Sequence, residues 1–361
     1  MKRHLVSVFL MALLLCSVGR TSLASPHGEA KSKSDFLTTE STSSTEHRPG
    51  VILVKFRPDV PMTEAADTLG ARDLAVLGEV ADLQIHRVAV PEGREEALVE
   101  VLTQDPRVEY AEVDYAVHAT IIPNDTRYYL QWGPAKIQAP AAWDVTVGSS
   151  DLIIAVVDTG VDLNHPDLND KIVAGWDYAN DDSDPQDDHG HGTHVAGIAA
   201  AETNNLQGIA GISWAARIMP VKVLDEHGDG YYSDVADGVH YACNNGAKII
   251  NLSLGGSNPS STLKDALEDA YEDGCLMVAA AGNGGNAVDY PGRYPETMAV
   301  AATNQSDTRA GFSDYGPEID VAAPGVYIYS TLWNDKYGWK DGTSMAAPHV
   351  AGQAALIWSL C

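Results

Sequence analysis

The stretch Asp187-Asp188-His189-Gly190-His191-Gly192-Thr193-His194 packs three histidines into its last six positions. Imidazole is both the commonest metal ligand and a side chain whose charge changes near neutral pH. A zinc hydrolase would gather His189, His191 and His194 on one ion. The dinuclear hydrolases with this spacing carry an aspartate just before the third histidine, where this chain has Thr193. Proton transfer needs only one histidine, plus a carboxylate to hold its tautomer and a nucleophile to serve. Both partners are available elsewhere: Asp158 in Val156-Val157-Asp158-Thr159-Gly160, and Ser344 in Asp341-Gly342-Thr343-Ser344-Met345-Ala346-Ala347-Pro348-His349.

A serine hydroxyl attacks a carbonyl only if a base takes its proton, and the resulting oxyanion needs donors. Ser344 near a helix N-terminus gains from the positive end of the helix dipole. Asn283, in Ala280-Ala281-Gly282-Asn283-Gly284-Gly285, can aim its amide at the same charge. That glycine-rich stretch is not a phosphate loop, because no Gly-Lys-Ser/Thr follows it. Taken singly, Asp-Thr-Gly at a strand end is usually a turn. Four such stretches at strand ends or helix starts of one segment point to nucleophilic acyl transfer.

The elements that must position these groups begin at Pro123. Leu152 to Val157, Ala216 to Val223, Lys248 to Leu254 and Leu276 to Ala281 are nearly all apolar, as parallel strands covered on both faces must be. Helical stretches lie near Val195 to Ala201, Ser233 to Cys243 and Ser260 to Asp273. The pattern predicts an α/β, doubly wound, mostly parallel sheet, whose sites form beyond the carboxyl ends of its strands. Ahead of it, residues 50–120 read as a small α+β unit, with strands at Val51 to Phe56, Leu83 to Val90 and Val108 to Tyr115 and helices at Glu64 to Leu69 and Arg94 to Leu102. Residues 25–49 are rich in Ser, Thr, Glu and Lys and are expected to be a flexible linker. Lys2 and Arg3 before the apolar run Leu5 to Cys16, with small residues at Ser22-Leu23-Ala24, predict a removed signal peptide over residues 1–24 and an extracellular location. The run is too short for a membrane anchor, since about 20 apolar residues are needed.

Fifty Asp and Glu against 23 Lys and Arg give a net charge of −27. That balance excludes nucleic acid as a partner, which would need clustered Lys and Arg, and suits hard cations such as calcium. Removal of the leader leaves Cys243, Cys275 and Cys361; a Cys243–Cys275 disulfide and buried free thiols are both open.

With these motifs in place, the chain from Pro123 onward resembles the subtilisin-like serine proteases, in particular their calcium-rich, thermitase-like branch. The resemblance rests on Asp158-Thr159-Gly160, His191-Gly192-Thr193-His194-Val195-Ala196-Gly197, Ala281-Gly282-Asn283 and Gly342 to His349, in the family's Asp, His, Ser order. It implies a subtilisin-like catalytic domain over 121–361, in which Asp158 orients His191, His191 is the base, Ser344 attacks and Asn283 completes the oxyanion hole. It implies that Ser253-Leu254-Gly255-Gly256 and Gly228-Asp229-Gly230 flank an extended polypeptide substrate, with Gly282 beside it. Residues 50–120 resemble the family's ferredoxin-like propeptide, an intramolecular inhibitor and chaperone cut off within His118 to Ile122. The protease is expected to act as a monomer and to need no cofactor for its chemistry. Structural calcium is implied twice: at Asp177, Asp182, Asp184 and Gln186, and at Asp125, Asp167, Asn205 and the carbonyls of Glu202, Gln207 and Ile209.

Two departures qualify the match. Asn180 stands where the branch has an aspartate, lowering the charge of the first calcium loop. The sequence stops at Cys361, whereas the family continues past the serine helix, so the domain is expected to be C-terminally incomplete. That departure keeps open a catalytically impaired, calcium-binding module.

Overall fold

The computed structural model describes residues 47–80, 82–117 and 121–361. The expected signal peptide, all but the last residues of the expected linker and the start of the expected cut region lie outside them. The described chain falls into two units, divided near residue 120.

The first unit runs β1 (His47–Phe56), α1 (Met62–Gly70), β2 (Ala75–Val80), β3 (Ile85–Ala89), α2 (Glu95–Thr103), β4 (Val108–Tyr115). Its sheet order is β2-β3-β1-β4, all antiparallel, which is the ferredoxin-like split βαββαβ arrangement. Ile52, Val54 and Val88 of the sheet pack with Leu69 of α1 and Leu102 of α2 in one core. Strand β2 was not expected from the sequence. Val76 and Leu77 on it are exposed, and its Gly78 falls at a register shift, so it lacks the alternation that marks a half-buried strand.

The second unit opens with the short helices α3 (Gly133–Lys136) and α4 (Ala139–Trp143). There follow β5 (Ile153–Asp158), β6 (Trp176–Asp177), α5 (His191–Ala200), β7 (Arg217–Lys222), α6 (Tyr232–Asn244), β8 (Ile249–Leu252), α7 (Ser261–Glu272) and β9 (Leu276–Ala280). The unit closes with β10 (Thr297–Thr303), β11 (Val321–Pro324), the hairpin β12 (Ile328–Leu332) and β13 (Lys336–Lys340), and α8 (Thr343–Trp358). Seven strands form a parallel sheet in the order β11-β10-β9-β8-β5-β7-β6.

Burial on both faces explains the unbroken apolar strands. Along β5, Ile154 and Val156 face the cluster containing Val195 of α5 and Val350 of α8, while Ala155 and Val157 face Val239 of α6 and Leu267 of α7. Strands β5, β8 and β9 are sheet neighbours in parallel register, so their carboxyl ends, leading into Asp158-Thr159, Ser253-Leu254 and Ala281-Asn283, open on one edge. Ser260 caps α7 by accepting the Leu263 N–H at 3.2 Å.

The structure resolves the cysteine question in favour of pairing. Cys243 at the end of α6 and Cys275 just before β9 form a disulfide with a Cα–Cα distance of 6.1 Å, well within bridging range. It closes a loop of 32 residues carrying α7. Loop-closure entropy predicts that replacing both cysteines by alanine destabilises the protein by about 3–4 kcal/mol. Guanidinium unfolding should give the same loss in unmutated protein with reductant; an unchanged midpoint in both would show that the bridge adds no stability.

Candidate active site

Asp158 ends β5 wholly out of contact with solvent. Its Oδ1 accepts from His191 Nδ1 at 2.7 Å and from the Thr159 N–H at 2.7 Å. Burial opposes charging of His191, but the charge and hydrogen bond of Asp158 outweigh it and raise the imidazole pKa above its ordinary value. The bond to Nδ1 leaves Nε2 as the nitrogen that can take a proton.

A clamp fixes the start of α5, where His191 is the first helical residue. Asp187, nearly fully buried, accepts from the Thr159 hydroxyl at 2.9 Å and from the N–H groups of His189 at 3.0 Å, Gly190 at 2.8 Å and Thr193 at 3.0 Å. The Thr193 hydroxyl donates to it as well. One carboxylate thus satisfies orphan donors of the helix N-terminus and complements its dipole. Thr159 is the link, because its Oγ1 also accepts the Gly192 N–H at 2.9 Å. Asp188 turns the other way to pair with Lys222 at 2.7 Å. Lys222 is itself buried and donates to the carbonyls of Thr159 at 3.0 Å and Leu224 at 2.7 Å. The Asp187, Lys222 and Thr159 network was missed because its members lie on three separate elements.

The three histidines of the cluster do not converge. His194 Nε2 faces the carbonyls of Ile328 at 3.1 Å and Gly338 at 3.2 Å on the β12–β13 hairpin, and burial pushes its pKa down to about 3. His189 lines the cleft, its ring centroid 6.2 Å from that of His191. Among the described residues no group of three or more His, Cys, Asp or Glu is placed to hold a metal. The zinc reading therefore fails on geometry.

Ser344 lies in the first turn of α8, 9% exposed. Its Oγ donates to the Ser253 carbonyl at 3.0 Å. In return the Ser253 hydroxyl donates to the Ser344 carbonyl at 2.8 Å, and Asn251 holds that hydroxyl from behind at 2.8 Å. Pro348 explains why the Ser344 carbonyl is available: four residues on, it has no N–H to offer. Asn283 is oriented by Thr343, whose N–H and Oγ1 both bond its Oδ1, at 2.9 and 3.1 Å. Since a backbone N–H can only donate, the amide oxygen must face Thr343, and the NH2 group is left for an incoming oxygen.

Gly228, Gly230, Ser253, Leu254, Gly255 and Gly256 line one cleft of about 590 Å3 together with His191. Of the expected flanking strands, Gly230 and Gly256 make only isolated bridges, to Leu224 and Tyr290. Asp225 sets the turn before Gly228 by accepting the N–H groups of His227 at 2.9 Å and Asp229 at 3.0 Å.

The two expected calcium loops differ. Both Asp177 oxygens are engaged by Asn180, through its N–H and side-chain amide, each at 2.9 Å. Asp182 caps the Asp184 N–H at 2.8 Å, and Gln186 bonds Leu163 at 3.1 Å and Asp162 at 3.3 Å. Asp177, Asp182 and Gln186 are thus spent locally, and among the described residues no three acidic side chains gather here. Asp125 and Asp167 are hydrogen-bonded too, Asp125 to the Asn204 N–H at 2.8 Å and Asp167 to the Asn205 amide at 3.0 Å and the Ile209 N–H at 2.8 Å, but both are buried and both face the one loop that contains Asn205. Burial raises the pKa of both, and the Asp167 charge raises that of Asp125 further. Two buried, mutually repelling carboxylates that converge on one loop fit a hard dication, which would replace N–H donors as their counter-charge.

A base held by a buried carboxylate, a serine at a helix start and a free amide above it are equipment for acyl transfer at the edge of a parallel sheet. Related proteins belong to that class of enzyme. Residues 149–361 match the subtilase family, and residues 37–114 match the fervidolysin N-terminal prodomain. The chain is 46% identical over 312 residues to a thermophilic serine proteinase of Bacillus sp. (strain AK1), covering 86% of this chain and 78% of that one. It is 54% identical over 239 residues to thermitase of Thermoactinomyces vulgaris, covering 66% and 85%. Among solved structures, a protease of Pseudoalteromonas arctica PAMC 21717 aligns with a TM-score of 0.61 at 39% identity, over 65% of this chain and 86% of that one.

The chain belongs to the subtilase family: it is a thermitase-like serine protease with an N-terminal propeptide.

Replacing Asp187 by alanine strands five buried or partly buried donors at once. With a typical cost of about 1–3 kcal/mol for each buried group left unpaired, partly relieved by water, the expected loss is about 3–5 kcal/mol. Urea unfolding of Asp187→Ala in a Ser344→Ala background, which prevents self-digestion, measures it. A loss below about 1 kcal/mol would mean that the clamp is incidental.

Proposed function

We propose that Asp158, His191 and Ser344 form the catalytic triad of an endopeptidase that cuts extended polypeptides through an acyl-enzyme, with Asn283 stabilising the oxyanion. The observation that carries this reading is the 2.7 Å Asp158–His191 bond, which holds the imidazole with Nε2 free. Substrate would lie between Gly228–Gly230 and Ser253–Gly256, adding a strand where each segment now makes a single bridge. As it enters, the Ser344 hydroxyl leaves the Ser253 carbonyl and donates to His191, since catalytic hydrogen bonds commonly tighten only when substrate is bound. His191 takes the proton as Oγ attacks. The oxyanion then meets the Asn283 amide and the Ser344 N–H at the start of α8. His191, now charged and stabilised by Asp158, returns the proton to the leaving amine, and water repeats the sequence on the acyl-enzyme.

The protease is made as a secreted precursor: residues 1–24 export it, and the propeptide assists folding and inhibits until the enzyme cuts its own chain. It acts as a monomer. Ser344→Ala should therefore accumulate with the propeptide attached, and Asn283→Ala should process slowly, its kcat lowered about 10²- to 10³-fold with little change in KM. Intact mass and peptide kinetics read both; efficient self-cleavage by Ser344→Ala would overturn the triad.

Calcium is proposed at Asp125, Asp167, Asn205 and the carbonyls of Glu202, Gln207 and Ile209, where it would keep both buried carboxylates ionised. At a concentration 100 times its Kd, calcium would add about 2.7 kcal/mol of stability. Thermal unfolding of the Ser344→Ala protein should shift upward with calcium and lose that shift in Asp167→Asn. A full shift in that variant would place the ion elsewhere.

A further inference from the structure

In the protease reading, two backbone walls flank the side chain of the attacked residue: Ser253 to Gly256 beyond β8, which line the cleft, and Ala281 to Asn283 beyond β9. Both walls are tied to one short strap. The Asp289 N–H donates to the Ala281 carbonyl at 2.8 Å on one side. On the other, Tyr290 and Gly256 exchange N–H to carbonyl bonds of 2.8 and 2.9 Å. Asp289 consequently sits where the two walls join. A β-carbon added at Gly282 would lie 2.7 Å from Asp289 Oδ2, and one added at Gly255 would lie 3.3 Å from Asp289 Cβ. The two glycines make room for the Asp289 side chain between the walls.

The Asp289 carboxylate is half-buried, and among the described residues it makes no hydrogen bond and no ion pair. Asp314, close to the same Gly282, spends its Oδ1 on the Asn286 N–H at 2.7 Å. Arg293, the cation that favours ionised Asp289, forms no ion pair with it; its guanidinium lies over the Tyr290 ring, 5.2 Å from the centroid. Burial and the Asp314 charge both push the Asp289 pKa up, as expected of a carboxylate without a counter-charge. An acid that caps no turn, pairs with no cation and lies against Gly255, which lines the cleft, gains most from a positive group arriving with the ligand.

We propose that Asp289 determines specificity in this pocket by pairing with a Lys or Arg side chain on the residue whose carbonyl Ser344 attacks. The proposal rests on the protease reading above. It adds no step to the chemistry: the charge pair forms on binding and persists through the transition state. An acidic side chain in the same place would face two carboxylates and be rejected.

The test compares kcat/KM of the matured full chain on three peptides identical except for Lys, Leu or Glu before the cut. Lys should exceed Glu by about 100-fold or more. In Asp289→Asn, which keeps the shape and removes the charge, the Lys-to-Leu ratio should fall about 10- to 100-fold. Cleavage after Leu should stay within about threefold, reporting an intact fold and triad. Cleavage-site profiling of a protein digest by the unmutated enzyme gives a second readout independent of any variant, with Lys and Arg enriched before the cuts. An unchanged Lys-to-Leu ratio in the variant, or equal cutting after Glu and Lys by the unmutated enzyme, overturns the proposal. An equal loss on all three peptides also overturns it, showing Asp289 to be structural. Absence of cleavage of every peptide by the unmutated chain is the different failure, that of the protease reading itself, which takes this inference with it.

Discussion

A carboxylate shut away from water at the tip of β5 is the constraint around which the second unit is built. Burying a charge is costly unless donors surround it, and Asp158 has two on Oδ1 while its Oδ2 has none among the described residues. That arrangement can be stable only if His191 is delivered to within hydrogen-bond distance every time the chain folds. The delivery is made by a helix start, and the helix start is held by a second buried carboxylate, Asp187, joined to the first through Thr159. Lys222 then ties the Thr159 carbonyl to Asp188, so the loop ahead of His191 is pinned on both sides. The cost of one buried charge is spread over a network in which almost every polar atom finds a partner.

Sheet topology explains why this can happen beside a cleft. Strand β5 lies between β8 and β7, so the chain leaves its carboxyl end toward one side for α5 and β7 and returns on the other for β8 and β9. The gap between the diverging connections is where ligands fit in doubly wound sheets. Parallel register brings the ends of β5, β8 and β9 level, which puts Asp158, Ser253 and Asn283 on the same rim. Helix α8 approaches from the face it shares with α5 and presents Ser344 to that rim through the reciprocal bonds with Ser253.

Much of this was legible in the residues. Unbroken apolar runs marked β5, β7, β8 and β9 because burial on both faces leaves no polar alternation to confuse them. The four active-site stretches were legible because each has a backbone requirement as well as a chemical one: Pro348 frees a carbonyl, and Gly160 adopts a φ of +97°. What could not be read was whatever depends on distant partners. Strands β10 and β11 and the β12–β13 hairpin carry no chemistry and went unassigned. Cys243 and Cys275 have apolar neighbours whether paired or free, and only the approach of α6 to the start of β9 decides between these states. The acidic stretch Asp177 to Gln186 has a cation-binding composition, yet Asn180, Leu163 and Asp162 absorb its oxygens and amide. Composition records which ligands are available but not which way they turn.

Histidine shows the same limit most sharply. His191, His194 and His349 all sit on α5 or α8, and burial alone would keep each neutral. It does so for His194, pushed down to about 3 while facing two carbonyls, and for His349, pushed down to about 4 beside the Met345 carbonyl. A carbonyl can accept from a neutral imidazole but supplies no charge to balance a second proton, so these two rings are locked as structural donors. His191 meets a carboxylate instead, and its pKa moves the other way. The ability to cycle between neutral and charged forms therefore comes from the single charge at the end of β5 and not from the histidine motif, which offers three chemically equal rings. A base is chosen here by where a strand ends.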